Sequence, residues 1–290
     1  MRSILLLILF FVGAAVNAAP TEDQKRIEYT SSLNAMASII MNWYGSLILV
    51  DEESSFSKVD AKWDDYRFRY PQNIKQIQIT STDLTKLDDS NLYQFEVNSL
   101  VQYQDESNNK SLERKERFIF HVPLLSKPII KRVETSQSEH VQGMHTTEFD
   151  RTYYKPRQFA YQWLAYLDGV NLLPIDAEQW LHSANYSMTI GGDVLNGSIT
   201  TLLEKRQKYL AQGGHLLRKL GNKKVDGKDN TYVLDLIIEW KGSNPSGKPV
   251  LAKIHQEIEY EIQKDKSWKV LSIKERHLLP DIAPWVGLLC

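Results

Sequence analysis

His215 follows a Gly213-Gly214 pair at the start of a strand-like run, and an imidazole there could act as a general base near neutral pH. Asp168, Asp176, Tyr186 and Tyr209 are the acids and phenols of the same region that could orient it or supply a proton. Gln256 interrupts an otherwise apolar strand face of Ile254, Ile258, Tyr260 and Ile262. A buried amide must find a hydrogen-bond partner, either in the core or on a ligand. Trp163, Trp180, Tyr186 and Tyr209, with His215 and Gln256, could together line a site for a small apolar ligand. Each also has a plainer role. The tryptophans recur at core periodicity, and the remaining residues serve packing or surface as readily as chemistry. His215 is a candidate base, and no catalytic residue is assigned.

Other chemistries leave no trace. The chain has no Gly-x-Ser-x-Gly elbow, no phosphate loop and no His-Glu-x-x-His, and its single cysteine, Cys290, is the last residue. His255, Glu257, Glu259 and Glu261 alternate on one strand face, the pattern of a solvated sheet surface with basic cross-strand partners, not of a calcium site. His140 and His145 match no metal-ligand spacing, so neither metal nor cofactor is expected. With 35 basic and 36 acidic residues, the chain lacks the clustered positive field of a nucleic-acid binder. Arg218, Lys219, Lys223, Lys224 and Lys228 gather only around a hairpin turn.

The elements that must position these residues are legible in order. Residues 1–18 fit a signal peptide, with Arg2 before the apolar run and Val16-Asn17-Ala18 suited to cleavage before Ala19. That predicts an exported protein, periplasmic in a bacterium and otherwise secreted, with no stable membrane insertion after cleavage. Asn109, Asn185 and Asn196 each open an Asn-x-Ser pattern, relevant only in a eukaryotic source. Residues 22–134 form a first unit: a helix carrying Leu33, Met36, Ile40 and Trp43 at helical spacing, a short second helix, and strands of alternating polarity. Residues 135–157 are polar and aperiodic, and read as a linker. Residues 158–279 repeat the plan, adding a helix from Ser198 to about Ala211 that could roof a pocket. Residues 280–290 are an apolar tail punctuated by Pro280 and Pro284.

This twice-used order resembles the nuclear transport factor 2-like superfamily, the cone fold of ketosteroid isomerases, polyketide cyclases and scytalone dehydratases. Residues 163–190, 231–240 and 254–262, and the final strand opened by Trp268, carry the resemblance. It implies an α+β protein of two tandem cone-shaped domains, each with N-terminal helices packed on a curved antiparallel sheet. It further implies an intrachain pseudo-dimer and a pocket between helices and concave sheet. Fold does not fix function in such a superfold. The expectation is an exported, non-catalytic protein binding a small apolar ligand or an envelope or secreted protein partner. The alternative is an isomerase, dehydratase or cyclase acting in the second-domain pocket.

Overall fold

The computed structural model describes residues 22–48, 70–87, 91–106, 108–123, 126–140, 154–173, 175–190, 193–201, 213–243, 249–265 and 267–278. The expected signal peptide, the short helix after residue 50, Tyr209, most of the roofing helix and the apolar tail lie outside them. Over the described residues the chain is α+β, with two sheets and few helices.

The first half is helix α1 (Glu22–Ile48) on a four-stranded antiparallel meander of β1 (Ile74–Lys86), β2 (Leu92–Asp105), β3 (Asn108–His121) and β4 (Ile129–His140). Alternation builds β2: Tyr93, Phe95, Val97 and Ser99 are buried, while the residues between them are half-buried. Tyr93 and Phe95 oppose Phe120 and Phe118 of β3, so their rings share one face. Trp43 of α1 meets Phe118 edge-on at 5.4 Å and closes the core.

The second half holds α2 (Tyr154–Leu167), α3 (Ile175–His182), β5 (Asn185–Ile190), β6 (Asp193–Ser198), β7 (Gly213–Lys224), β8 (Thr231–Ser243), β9 (Pro249–Ile262) and β10 (Trp268–His277). Its sheet runs β6-β5-β10-β9-β8-β7, antiparallel throughout except for the parallel β5–β10 pair. At Gly213, an added Cβ would stand 2.3 Å from the Trp240 ring, so β7 can cross that indole only with glycine there.

Two sequence expectations are corrected. Residues 135–157 are not wholly a linker, because β4 continues to His140 and α2 begins at Tyr154. The β4 extension is polar yet ordered as strand, because its backbone pairs with β3 from Glu116↔Thr135 to Ser111↔His140. Ladder hydrogen bonding, not hydrophobicity, extends it. Residues 196–198 end β6 instead of opening a helix. The helix begins at Ile199, with the Ser198 hydroxyl accepting from the Thr201 amide at 3.2 Å as its cap.

The halves meet through α1 and α2, which pack on one another. Ala35, Ala165 and Val170 form a small cluster there. α2 serves both cores: Tyr154 packs in the first, and its hydroxyl donates to the Ile77 carbonyl of β1, while Phe159, Trp163 and Leu164 belong to the second. This double duty buries nine of its residues.

Candidate functional site

The least expected chemistry lies in the first half. Strand β3 contains Glu113 to Arg117, five charged residues in succession, and strand parity divides them. Lys115 and Arg117 face outward, where both pair with Glu96 and hold its carboxyl below the usual range. Arg114 and Glu116 point inward beside Leu112, Phe118 and Phe120, and their side chains are 0% exposed.

Neighbouring elements compensate the buried pair. Arg114 Nε lies 3.2 Å from Glu116 Oε1. Tyr44 of α1 donates to Glu116 Oε2 at 2.6 Å, and Tyr70 donates to Oε1 at 2.5 Å. The Trp43 indole donates to the Tyr70 hydroxyl at 3.2 Å. The Arg114 guanidinium also stacks 3.7 Å from the Tyr70 ring centre and donates to Gln137 of β4 at 3.1 Å.

Burial first, and the Glu116 charge second, hold the Tyr44 and Tyr70 phenols well above their ordinary value. The unfolded chain ionises such phenols near pH 10. A raised folded-state value therefore contributes stability that is full below about pH 10 and lost as pH rises beyond it. In an alkaline titration the two phenolates should appear together with loss of tertiary circular dichroism. Phenolate absorbance from both at about pH 10, with the fold intact, would contradict their burial.

Tyr70 and Gln137 connect this pair to solvent, because both also line an open cleft of about 590 Å³. The cleft lies where the entry to β1 meets the β2–β3 hairpin, and its wall is mostly polar: Gln72, Asn73, Gln104 and Glu106 among others. Two of its residues hold left-handed backbone conformations, Asn73 at φ 56° and Glu106 at φ 52°. That conformation is uncommon outside glycine, and it concentrates in tight turns and functional sites. The Gln104 amide donates to the Asn73 carbonyl at 3.1 Å and ties the two edges together.

The residues expected to form a site in the second half are differently placed. Trp163 is fully buried and its indole donates to Gln256 Oε1 at 2.9 Å. Gln256, also fully buried, donates to Glu275 Oε2 at 2.7 Å, and Glu275 Oε1 lies 3.2 Å from His277 Nε2. Gln256 thus has its partners inside the protein. Around it Leu236, Ile238, Ile254 and Ile258 fill the interior. Tyr186 is buried in the same core and Trp180 is half-buried on α3.

His215 sits at the seam between the halves, apart from Gln256's network. Its neighbour Asp168 is placed by a helix stop: Gly169 adopts φ 94°, and the amides of Gly169 and Val170 bond back to Tyr166 and Ala165. Asp168 Oδ1 lies 2.7 Å from His215 Nδ1, with side chains 1% and 2% exposed. Asn34 of α1 donates to Asp168 Oδ2 at 3.1 Å and to the His215 carbonyl at 2.8 Å. A carboxylate on Nδ1 directs the Nε2 lone pair away from it, the arrangement of an oriented base. Here the dyad also fastens α1 to the second half. Asp176 has no described side chain, and Tyr209 lies outside the described residues.

The outer face of the second sheet carries paired charges, Lys228–Glu259 at 2.8 Å and Arg218–Glu239 at 2.6 Å, and a hydrogen bond between His255 Nε2 and Asp235 Oδ1 at 2.8 Å. Among the described residues, no group of three or more potential metal ligands comes together, and no helix is long and apolar enough to cross a membrane.

Sequence reasoning singled out Gln256 as a buried amide and offered Asp168 as a partner of His215, but passed over Arg114, Glu116, Tyr44 and Tyr70. The available signal was parity, since Arg114 and Glu116 fall in step with Phe118 and Phe120.

No protein-family model matches the sequence, and neither does any curated protein. Among solved structures, the chain is similar to a proposed aromatic ring hydroxylase from Novosphingobium aromaticivorans. The identity is 16% over 45% of this chain and 87% of that one, with a TM-score of 0.33. It is also similar to a nuclear transport factor 2-like protein with a cystatin-like fold from the same organism. That match has 17% identity over 39% and 73% of the two chains, with a TM-score of 0.28. A third is a proposed calcium/calmodulin-dependent protein kinase II association domain from Xanthomonas campestris, 14% identical over 37% and 73%, also with a TM-score of 0.28. Likenesses at this level assign no role to any residue.

Proposed function

We propose that this chain is an exported, non-catalytic binding protein built of two tandem cone-shaped, nuclear transport factor 2-like halves, and that the first-half cleft receives a small ligand. The observation that carries the reading is the contrast between the halves. The first has an open polar cleft backed by a buried, compensated Arg114–Glu116 pair. In the second, Gln256 and Trp163 are consumed by each other and by Glu275. Glu116 does not line the cleft and both its oxygens are engaged by phenols, so it stands behind the wall as a structural acceptor and not as a catalytic carboxylate. A polar wall shifts the expected ligand from an apolar molecule to a polar one.

The duplication draws support from a shared device. Trp43 and Trp163 lie on the first helix of each half, and each donates its indole N–H into a polar chain ending on a buried sheet glutamate. One chain passes through Tyr70 to Glu116, the other through Gln256 to Glu275. The α1–α2 packing suits an intrachain pseudo-dimer.

Native mass spectrometry of the chain purified from its source tests the reading. A retained small molecule, lost when Gln104→Trp fills the cleft, supports it. A tightly co-purifying envelope or secreted protein, unaffected by Gln104→Trp, replaces the cleft with a protein-binding surface. Export predicts a mature amino terminus at Ala19, readable in the same spectrum as the mass of the chain. The second reading, an isomerase, dehydratase or cyclase, is favoured by the 2.7 Å Asp168–His215 contact. It requires turnover that His215→Gln abolishes while leaving the fold intact.

A further inference from the structure

The wall of the cleft narrows the ligand class, on the reading that the cleft is a ligand site. A volume of about 590 Å³ is within the range of small-molecule sites. Among the described residues, no cationic side chain lines it. Arg114 lies behind the wall against Glu116, and Lys110 is spent on Asp105 at 2.5 Å. An anion would therefore meet Glu106, and an Asp105 already paired with Lys110, with no cation on the wall to hold it. Aliphatic lining is confined to Pro71 and Leu112, too little to shelter an acyl chain.

The remaining wall is rich in carboxamides: Gln72, Asn73, Gln104 and Gln137. Each amide both donates and accepts, as a sugar hydroxyl does, and carboxylates accept from hydroxyls on adjacent carbons. The phenol of Tyr103, half-buried at the edge, adds a ring against which the C–H face of a pyranose can pack. The left-handed backbone at Asn73 and Glu106 and the Gln104–Asn73 hydrogen bond brace the rim before any ligand arrives. A braced rim saves ordering entropy on binding. We infer that the cleft binds a neutral saccharide.

Saturation-transfer NMR and calorimetry on the full mature chain test this. The probes are cellobiose, maltotriose and chitobiose, with spermidine and decanoate in parallel. The wild type is compared with Gln104→Ala and Tyr103→Ala, both at half-buried positions; Tyr103 also packs against the first-half core, so circular dichroism first confirms that its variant is folded. The expected result is binding of at least one saccharide, weakened about tenfold by either substitution, the loss of one good contact. Binding of spermidine or decanoate alone, weakened by the same substitutions, overturns the saccharide and leaves the cleft as a ligand site. Binding of no probe, or binding that both variants leave unchanged, overturns both.

Discussion

Glu116→Leu should lower the unfolding free energy by about 3–5 kcal/mol, the usual cost of removing one partner from a buried ion pair. The cost is large because the loss is not confined to one contact. Arg114, fully buried, keeps its charge without its carboxylate, and Tyr44 and Tyr70 lose the acceptor they share. Urea denaturation at neutral pH measures it as a lower midpoint at an unchanged slope. A double variant gives a sharper comparison. Arg114→Leu combined with Glu116→Leu removes both charges and should be more stable than Glu116→Leu alone, since apolar residues of similar volume replace buried pairs well. Recovery stays incomplete while two buried phenols lack an acceptor, and Tyr44→Phe with Tyr70→Phe in the same background should restore more. A loss below about 1 kcal/mol for Glu116→Leu, the range of exposed pairs, would show that water reaches the pair.

Trp163→Ala should cost about 3–5 kcal/mol, as an aromatic truncation in a packed core does. Trp163→Phe separates the two contributions. It retains the six-membered ring's packing but removes the indole N–H and some buried volume, leaving Gln256 Oε1 buried without its donor, at about 1–3 kcal/mol beyond the lost packing. That second figure decides the role of Gln256. A structural amide makes Trp163→Phe a stability variant with ligand binding unchanged. An amide held in readiness for a ligand would make it a binding variant with stability nearly unchanged. Thermal unfolding and calorimetry on the same protein distinguish the two.

Much of the scaffold was legible because it depends on short-range rules. The alternation of Tyr93, Phe95 and Val97 states which face of β2 is buried, whatever packs on it. Asp168-Gly169 announces a helix stop, because glycine accepts φ 94° at no steric cost. The alternating glutamates of β9 carry paired charge, and Lys228, in the turn between β7 and β8, supplies the cation to Glu259. Gln256 was recognised because one amide on an apolar face is conspicuous.

The site was less legible because charge hides parity. In a run of five charged residues, Arg114 and Glu116 resemble their outward neighbours, and hydropathy cannot separate 0% exposure from a surface position. Only the inward step shared with Phe118 and Phe120 tells them apart. Their burial is tolerable only because α1 brings Tyr44 and the entry to β1 brings Tyr70, contacts 72 and 46 residues distant in sequence. His215 was chosen for its strand position with Asp168 among its four possible partners, but only the tertiary structure selects Asp168 from those four and adds Asn34, 181 residues away.

By itself, then, the sequence determined the α+β class, the strand-rich second half, the polarity of the two faces of β2 and of β9, and the end of α2. All of these follow from residue spacing along one element. Tertiary structure alone decided that α1 and α2 join the halves, that the Arg114–Glu116 pair lies inside, and that the described cleft belongs to the first half. A buried charge is stable only where distant groups neutralise it, and which groups those are is a property of packing, not of spacing.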